Sequence, residues 1–229
     1  MIGYATHTTT SMISILMPVF NGIEFINDSV SSILDQTYTG WELIIGINGH
    51  AANSLVFLAA KEYEQLSRNI RVIDLPHIRG KANALNAMVP HCKYDYVALL
   101  DVDDIWYEQK LELQSYRLHD YDVIGTQCIY FGDRAGTIPA IPMGDISNYD
   151  FSIVNPIINS SVIVRKEYCH WHDGIEGVED YDMWLRLRKL NLRFFNVDTV
   201  LVGHRIHSQS AFNAKGNASK VAAVLETNR

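Results

Sequence analysis

The chain has 229 residues, of which 48% are apolar and 20% charged, and a formal net charge of −7. That length favours one domain with a core large enough to stand without disulfides. The acidic balance speaks against a nucleic-acid binder, which presents a basic face, and leaves room for an anionic substrate held by a few local cations.

In chain order, the apolar run 13–20 reads as a first strand, stopped by Asn21-Gly22. The spacing of Ile26, Val30, Ile33 and Leu34 predicts a helix over 24–36 with those side chains inward. A second strand over 42–47 ends at Asn48-Gly49, and a helix over 52–66 is expected to turn Leu55, Leu58, Ala59 and Leu66 to the core. A third strand covers 70–75, a short buried helix GKANALNAM 80–88, and a fourth strand 95–100. Such alternation signals a parallel sheet with helices on both faces. The second half differs. It offers a helix over 107–119, strands over 121–131 and 160–164, and between them a stretch, 132–155, rich in Gly, Pro, Asp and Ser. A segment that long is either functional, as a lid or acceptor-binding loop, or a plain surface connection. A helix over 179–190 carries Met183, Trp184, Leu187 and Leu190 as its apolar stripe, with Asp182 and Arg186 paired at i, i+4. Beyond Ser208 the tail is polar and ends in a short helix or frays.

The stretch LLDVDDIW, 99–106, carries the chemistry: a buried strand delivers Asp101, Asp103 and Asp104 at its carboxyl end, where open α/β sheets bind ligands. Three carboxylates so close suit a hard divalent cation that also carries substrate phosphates. The alternative is an acidic loop in which Asp103 or Asp104 caps the next helix. A second acidic pair, Glu179 and Asp180, opens a helix, where carboxylates also serve as plain dipole partners. Several other chemistries lack their signatures: no G-x-G-x-x-G follows the first strand, and no P-loop or G-x-S-x-G elbow occurs. The three cysteines, Cys92, Cys128 and Cys169, form no C-x-x-C, so a zinc knuckle or disulfide framework is not indicated. No apolar run reaches 18 residues and 1–11 lacks a signal-peptide core. A soluble, cytoplasmic protein with no integral membrane segment is therefore expected, with peripheral membrane association left open.

The motifs ISILMPVFNG (13–22), SSILDQTYTGWELII (31–45), GKANALNAM (80–88), LLDVDDIW (99–106), NPIINSSVIVRKE (155–167), VEDYDMWLRL (178–187) and HRIH (204–207) occur in one order. Together they resemble family 2 glycosyltransferases of the GT-A fold. The resemblance implies a single Rossmann-like α/β/α domain with a mostly parallel central sheet. It would span 12–207, with a nucleotide-sugar half (12–105), an acceptor and catalytic half (106–207), and tails at 1–11 and 208–229. It implies inverting transfer of a hexosyl or N-acetylhexosaminyl group, assisted by Mn²⁺ or Mg²⁺, from a nucleotide-sugar donor to a glycan, glycolipid or protein hydroxyl.

Residue by residue, the resemblance makes Asp180 the general base, with Glu179 assisting on the acceptor side together with Trp184. Asp103 becomes a metal ligand, Asp101 its partner toward metal or ribose, and Asp104 a support for the loop or helix cap. His207 completes the metal shell, and Arg205 or a neighbour sits near the diphosphate. Pro18, Phe20, Glu24, Asn48, Arg79 and Lys81 fall around the nucleotide. At Asn48 the chain departs from the family, which usually places Asp there to read uracil; an amide both donates and accepts, a carboxylate only accepts, so a different base or rearranged recognition is implied. Three rivals remain. A nucleotidyltransferase would want a Gly-rich first turn, a haloacid-type phosphatase its D-x-D on the first strand, and a non-catalytic nucleotide or carbohydrate binder would not need Asp101, Asp103 and Asp180 together.

Overall fold

The computed structural model describes residues 11–208 and 217–229. Its centre is a nine-stranded sheet. Strands β1 (Ile13–Val19), β2 (Trp41–Asn48), β3 (Ile70–Leu75) and β4 (Tyr96–Leu99) pair parallel in the order β3-β2-β1-β4. The series continues through β8 (Ile163–Arg165), β6 (Val123–Gly132), β9 (Phe194–Ile206) and β5 (Ile105–Trp106), while β7 (Gly144–Asp145) adds to β9. β8 is antiparallel to both β4 and β6, and β6 is parallel to β9. Two reversals restore the direction, so β9 ends on the same edge of the sheet as β1, β2 and β4. That edge holds the candidate site.

Side chains alternate across the strands and feed two cores. Ile15 and Met17 point to one, with Ile26, Val30 and Ile33 of α1 (Ile26–Leu34), Ala60 of α2 (Leu55–Lys61) and Leu111 of α4 (Lys110–Ser115). Leu16 points to the other, with Leu85 and Met88 of α3 (Lys81–Met88), Met183 and Trp184 of α5 (Glu179–Lys189) and Val224 of α6 (Asn217–Thr227). The result is the expected α/β/α layering. α3 seats closely on β2 because Gly46 has no side chain: a Cβ there would stand 2.5 Å from Met88 Sδ.

Several expectations need correcting. In α2 and the turn that follows it the inward residues are Val56, Phe57, Ala60 and Tyr63, whereas Leu55, Leu58, Ala59 and Leu66 are exposed, Leu55 at 85%. The Ser54 hydroxyl caps Phe57 N at 3.2 Å and starts the helix at Leu55, while the packing of Val56, Phe57 and Ala60 on the core turns its leucine edge out. Leu34 and Leu190 are likewise exposed at helix ends. The stretch 132–155 is no free lid. It is pinned by β7 and by buried Ile141, Ile146 and Phe151. At the other end, α6 packs on α5, where Asn228 Nδ2 donates to Asp182 Oδ1 at 3.0 Å; residues 209–216 of the expected tail lie outside the described residues. No helix among the described residues is long and apolar enough to cross a membrane.

One core residue is unusual. Lys110 is fully buried, its Nζ donating to Gln114 Oε1 at 2.7 Å and lying 3.9 Å over the Trp106 ring. Burial pushes its pKa well below the ordinary lysine value. The unfolded chain therefore binds the extra proton, and stability rises with pH until the unfolded lysine also titrates. Thermal melts between pH 7 and 9.5 are expected to show that rise in the wild type and a flatter profile in Lys110→Met. Parallel profiles would show that the amine stays charged when buried.

Candidate active site

Two adjoining cavities open at the carboxyl edge of the sheet. The first, of about 320 Å³, is built from strand ends. Pro18 comes from β1 and Phe20 from just beyond it, Asn48 from β2, Asp101 and Asp103 from the turn after β4, and His207 from just beyond β9. Glu24 and Lys81 complete its wall. Gly22 turns the chain away from Phe20 with φ +85°, and a Cβ there would press on Val102 at 3.0 Å. The second cavity, of about 280 Å³, contains Asp180, His204, Asn155 and Asn159 between apolar walls that include Ile141, Ile157 and Ile158. Lys81, Gly177 and Glu179 line both.

Lys81 is the cation between the carboxylates. Its Nζ lies 2.5 Å from Asp101 Oδ1, and Asn159 Nδ2 donates to Asp101 Oδ2 at 3.1 Å. Burial opposes both charges, but Lys81 and Asn159 together hold the Asp101 carboxyl below its ordinary range. Lys81, in turn, is pushed above the usual lysine value, because Asp101 and Glu179 outweigh its burial.

Asp103 is in the opposite condition. Burial, then the like charges of Asp104 and Asp101, raise its pKa against the pull of His207, with Nε2 2.9 Å from Oδ2, and of its own backbone N–H. A carboxylate and an imidazole nitrogen thus face one cavity at a separation that two ligands of one cation adopt. Among the described residues, no group of three or more His, Cys, Asp or Glu side chains surrounds a single point. A two-ligand site completed by substrate phosphates fits what is present, since such cations use one or two carboxylates and keep other positions for phosphate.

Asp180 stands at the first turn of α5. Burial and the neighbouring Glu179 push its pKa up to about 6, against the pull of Lys81 and of Asn155, whose Nδ2 donates to Oδ2 at 3.1 Å. A carboxyl poised near neutrality in a cavity with apolar walls suits proton abstraction.

The profile described as Glycosyl transferase family 2 matches residues 14–195. The chain belongs to glycosyl transferase family 2. It is 31% identical over 208 residues to the O-antigen biosynthesis glycosyltransferase WbnJ of Escherichia coli, covering 87% of this chain and 81% of the relative. Its fold is similar to that of S. aureus TarS in complex with UDP-GlcNAc, at TM-score 0.76 and 14% identity, covering 95% of this chain and 65% of that one. It is also similar to the mannosyltransferase PcManGT of Pyrobaculum calidifontis, solved with GDP-Man and Mn²⁺, at TM-score 0.69 and 14% identity, covering 89% of this chain and 59% of that one. The chain is a GT-A glycosyltransferase, and the nucleotidyltransferase, phosphatase and non-catalytic rivals fall away.

Within this glycosyltransferase some expected residues lie elsewhere. Trp184 is 0% exposed inside the second core, so it has no surface to offer an acceptor; the helix stripe claims it. Arg79 is exposed and lines neither cavity. Asp104 caps no helix. Buried, it receives His204 Nδ1 at 3.0 Å and Arg205 N at 2.8 Å, clamping the aspartate turn to β9. That contact outweighs burial and lifts His204 to about 8. Arg205 turns away from the cavities: it stacks on Phe25 and Phe131, at 4.6 and 4.4 Å, and pairs with Asp28 at 2.8 Å. Two residues were missed altogether, Asn155 and Asn159. Their signal was available, as the only polar side chains in the apolar stretch 154–159.

Proposed function

We propose that the enzyme transfers a sugar from a nucleotide-sugar donor to an acceptor hydroxyl with inversion, using Asp180 as general base. The observation that carries this is the division of the site into a phosphate-side cavity and an apolar cavity, with Asp180 in the second and Lys81 on the wall between them. An inverting displacement needs its base on the face opposite the leaving group, within reach of the acceptor hydroxyl. Asn155, at Oδ2, and the backbone N–H of Tyr181 both donate to the Asp180 carboxylate and hold it at the wall of the acceptor cavity.

On the donor side, Pro18 and Phe20 wall the nucleobase. Asn48 turns one amide N–H to Ile78 O at 3.4 Å, which leaves its oxygen as an acceptor, as a carboxylate would present, and its second N–H as a donor. A uridine donor is therefore compatible with asparagine at this position. Lys81 and Asp101 hold the sugar–diphosphate end, Lys81 as a fixed positive charge. Asp103 and His207 would hold Mn²⁺ or Mg²⁺, which when bound stabilises charge on the departing diphosphate. Glu179, whose carboxylate accepts from Gly177 N, keeps the loop before α5 closed on both cavities. The acceptor enters the second cavity, where Ile141, Ile157 and Ile158 exclude water from the reacting hydroxyl. The relative's place in O-antigen synthesis makes a sugar hydroxyl of a growing glycan the first acceptor to try.

The experiment is a panel of uridine and guanosine nucleotide sugars, each with Mn²⁺, followed by donor hydrolysis and thermal shift. A stabilising and hydrolysed uridine sugar is expected. Donor-dependent signal with guanosine sugars alone would overturn the assignment at Asn48, and none with any nucleotide would overturn the donor site.

A further inference from the structure

The two carboxylates on opposite sides of the proposed reaction come from distant parts of the chain, yet one short segment holds both. Asn155 Nδ2 donates to Asp180 Oδ2 and Asn159 Nδ2 to Asp101 Oδ2, each at 3.1 Å. Over 154–159 the other side chains are Val, Pro, Ile and Ile. The polar interruptions fall only where a side chain reaches a carboxylate.

The segment itself is fixed. Asn155 Oδ1 accepts from Ile157 N at 3.4 Å, and Pro156 keeps the backbone of Asn155 out of the helical region. Pro156 O accepts from Asn196 Nδ2 of β9 at 2.8 Å, and Ile157 is fully buried. Further along, Ser160 Oγ accepts from Asp101 N at 3.1 Å, and Ser160 O from Trp106 Nε1 at 2.7 Å. The turn is thus tied to β9, to the aspartate turn and to the start of α5 at once.

We propose that Asn155 and Asn159 are positioning residues: the turn 155–159 is a yoke that sets the spacing of Asp101 and Asp180, and Asn155 fixes the orientation of the Asp180 carboxylate toward the acceptor. An amide N–H can only donate, so Asn155 favours the ionised carboxylate and fixes its plane. The other charged groups facing Asp180 are Glu179 on its own helix, Lys81 of α3 and His204 of β9. Asn155 acts among them as the neutral group that sets direction. Both roles rest on Asp180 serving as the base.

The variants are Asn155→Ala, Asn155→Asp and Asn159→Ala in the full chain, with circular dichroism to confirm folding. Asn155→Asp keeps the acceptor for Ile157 N, and so the turn, while replacing the donor with a like charge. Both Asn155 variants are expected to move the acidic limb of kcat/KM to higher pH, the Asp variant further, and to lower kcat by on the order of tenfold to 10²-fold at pH 7. Binding of the donor found active in the panel should stay within about twofold, because Asp180 lies outside the first cavity. Asn159→Ala should do the reverse, weakening donor binding without moving the limb. The aspartate carboxyl titration read by ¹³C NMR gives the Asp180 shift independently of turnover. An unmoved limb and unchanged kcat in both Asn155 variants, or identical effects of the 155 and 159 substitutions, would overturn the yoke. Retained transfer in Asp180→Asn would instead remove the base itself, so the two failures are distinguishable.

Discussion

Asp180→Asn is expected to lower transfer by ~10²–10⁴-fold, the contribution of a positioned general base, while leaving donor binding at its wild-type level. Asparagine has the same shape, and its oxygen still accepts from Asn155 Nδ2, so the loss isolates the missing proton acceptor. The wild-type pH profile should carry the same group. With the Asp180 carboxyl held at about 6 by burial and Glu179, kcat/KM falls roughly tenfold for each pH unit below that value. Stability moves the other way. The folded carboxyl binds its proton up to about 6, the unfolded one releases it near 3.8, so the native state loses stability as pH rises between those values. Two units correspond to roughly 3 kcal/mol above pH 6. The Asn variant should therefore melt higher than wild type at pH 8 and equally at pH 3. Transfer that survives the substitution places the base elsewhere; equal melting at pH 8 shows a carboxylate that ionises without strain.

How far the sequence carries depends on the range of the interaction behind each feature. β1, β2 and β4 were readable because strands buried on both faces must be continuous apolar runs, and Leu99-Leu100 ahead of Asp101 marks where one ends. The helix at Glu179 was readable for a similar local reason, and its Asp182–Arg186 pair forms at 2.8 Å. The leucine edge of α2 is not legible from leucine spacing because the inward face is chosen by the tertiary packing of Val56, Phe57 and Ala60. β9 has no legible bounds because Asn196, Asp198 and Thr199 interrupt its apolar pattern; its parallel pairing with β6, with a shift at Gln127, lies in contacts no local pattern encodes. Within the site, Asp103 and Asp104 look alike in sequence. They differ through partners about a hundred residues away, His207 for one and His204 for the other. Trp184 shows the converse: its place on an apolar stripe was the local signal, and the stripe prevailed over the resemblance.

That difference between neighbours makes Asp103 the second decisive position. Asp103→Asn is expected to lower kcat by ~10²–10³-fold, the scale for removing one group that stabilises developing charge. It should also weaken Mn²⁺ binding seen by electron paramagnetic resonance with the nucleotide sugar present. The amide can still meet His207, so the turn persists, but the charge that burial and the Asp101 and Asp104 carboxylates crowd at this point is gone. His207→Ala should act on Mn²⁺ binding in the same direction and less strongly, since it removes a neutral ligand. Asp104→Asn is the contrast. Its carboxylate is buried against His204 and Arg205 N, outside both cavities. Removing its charge from a buried pair should lower the melting temperature, with the Mn²⁺ response left in place. If the resonance signal responds to Asp104 and not to Asp103, the cation is held from the β9 side of the turn, and His204, not His207, becomes its imidazole.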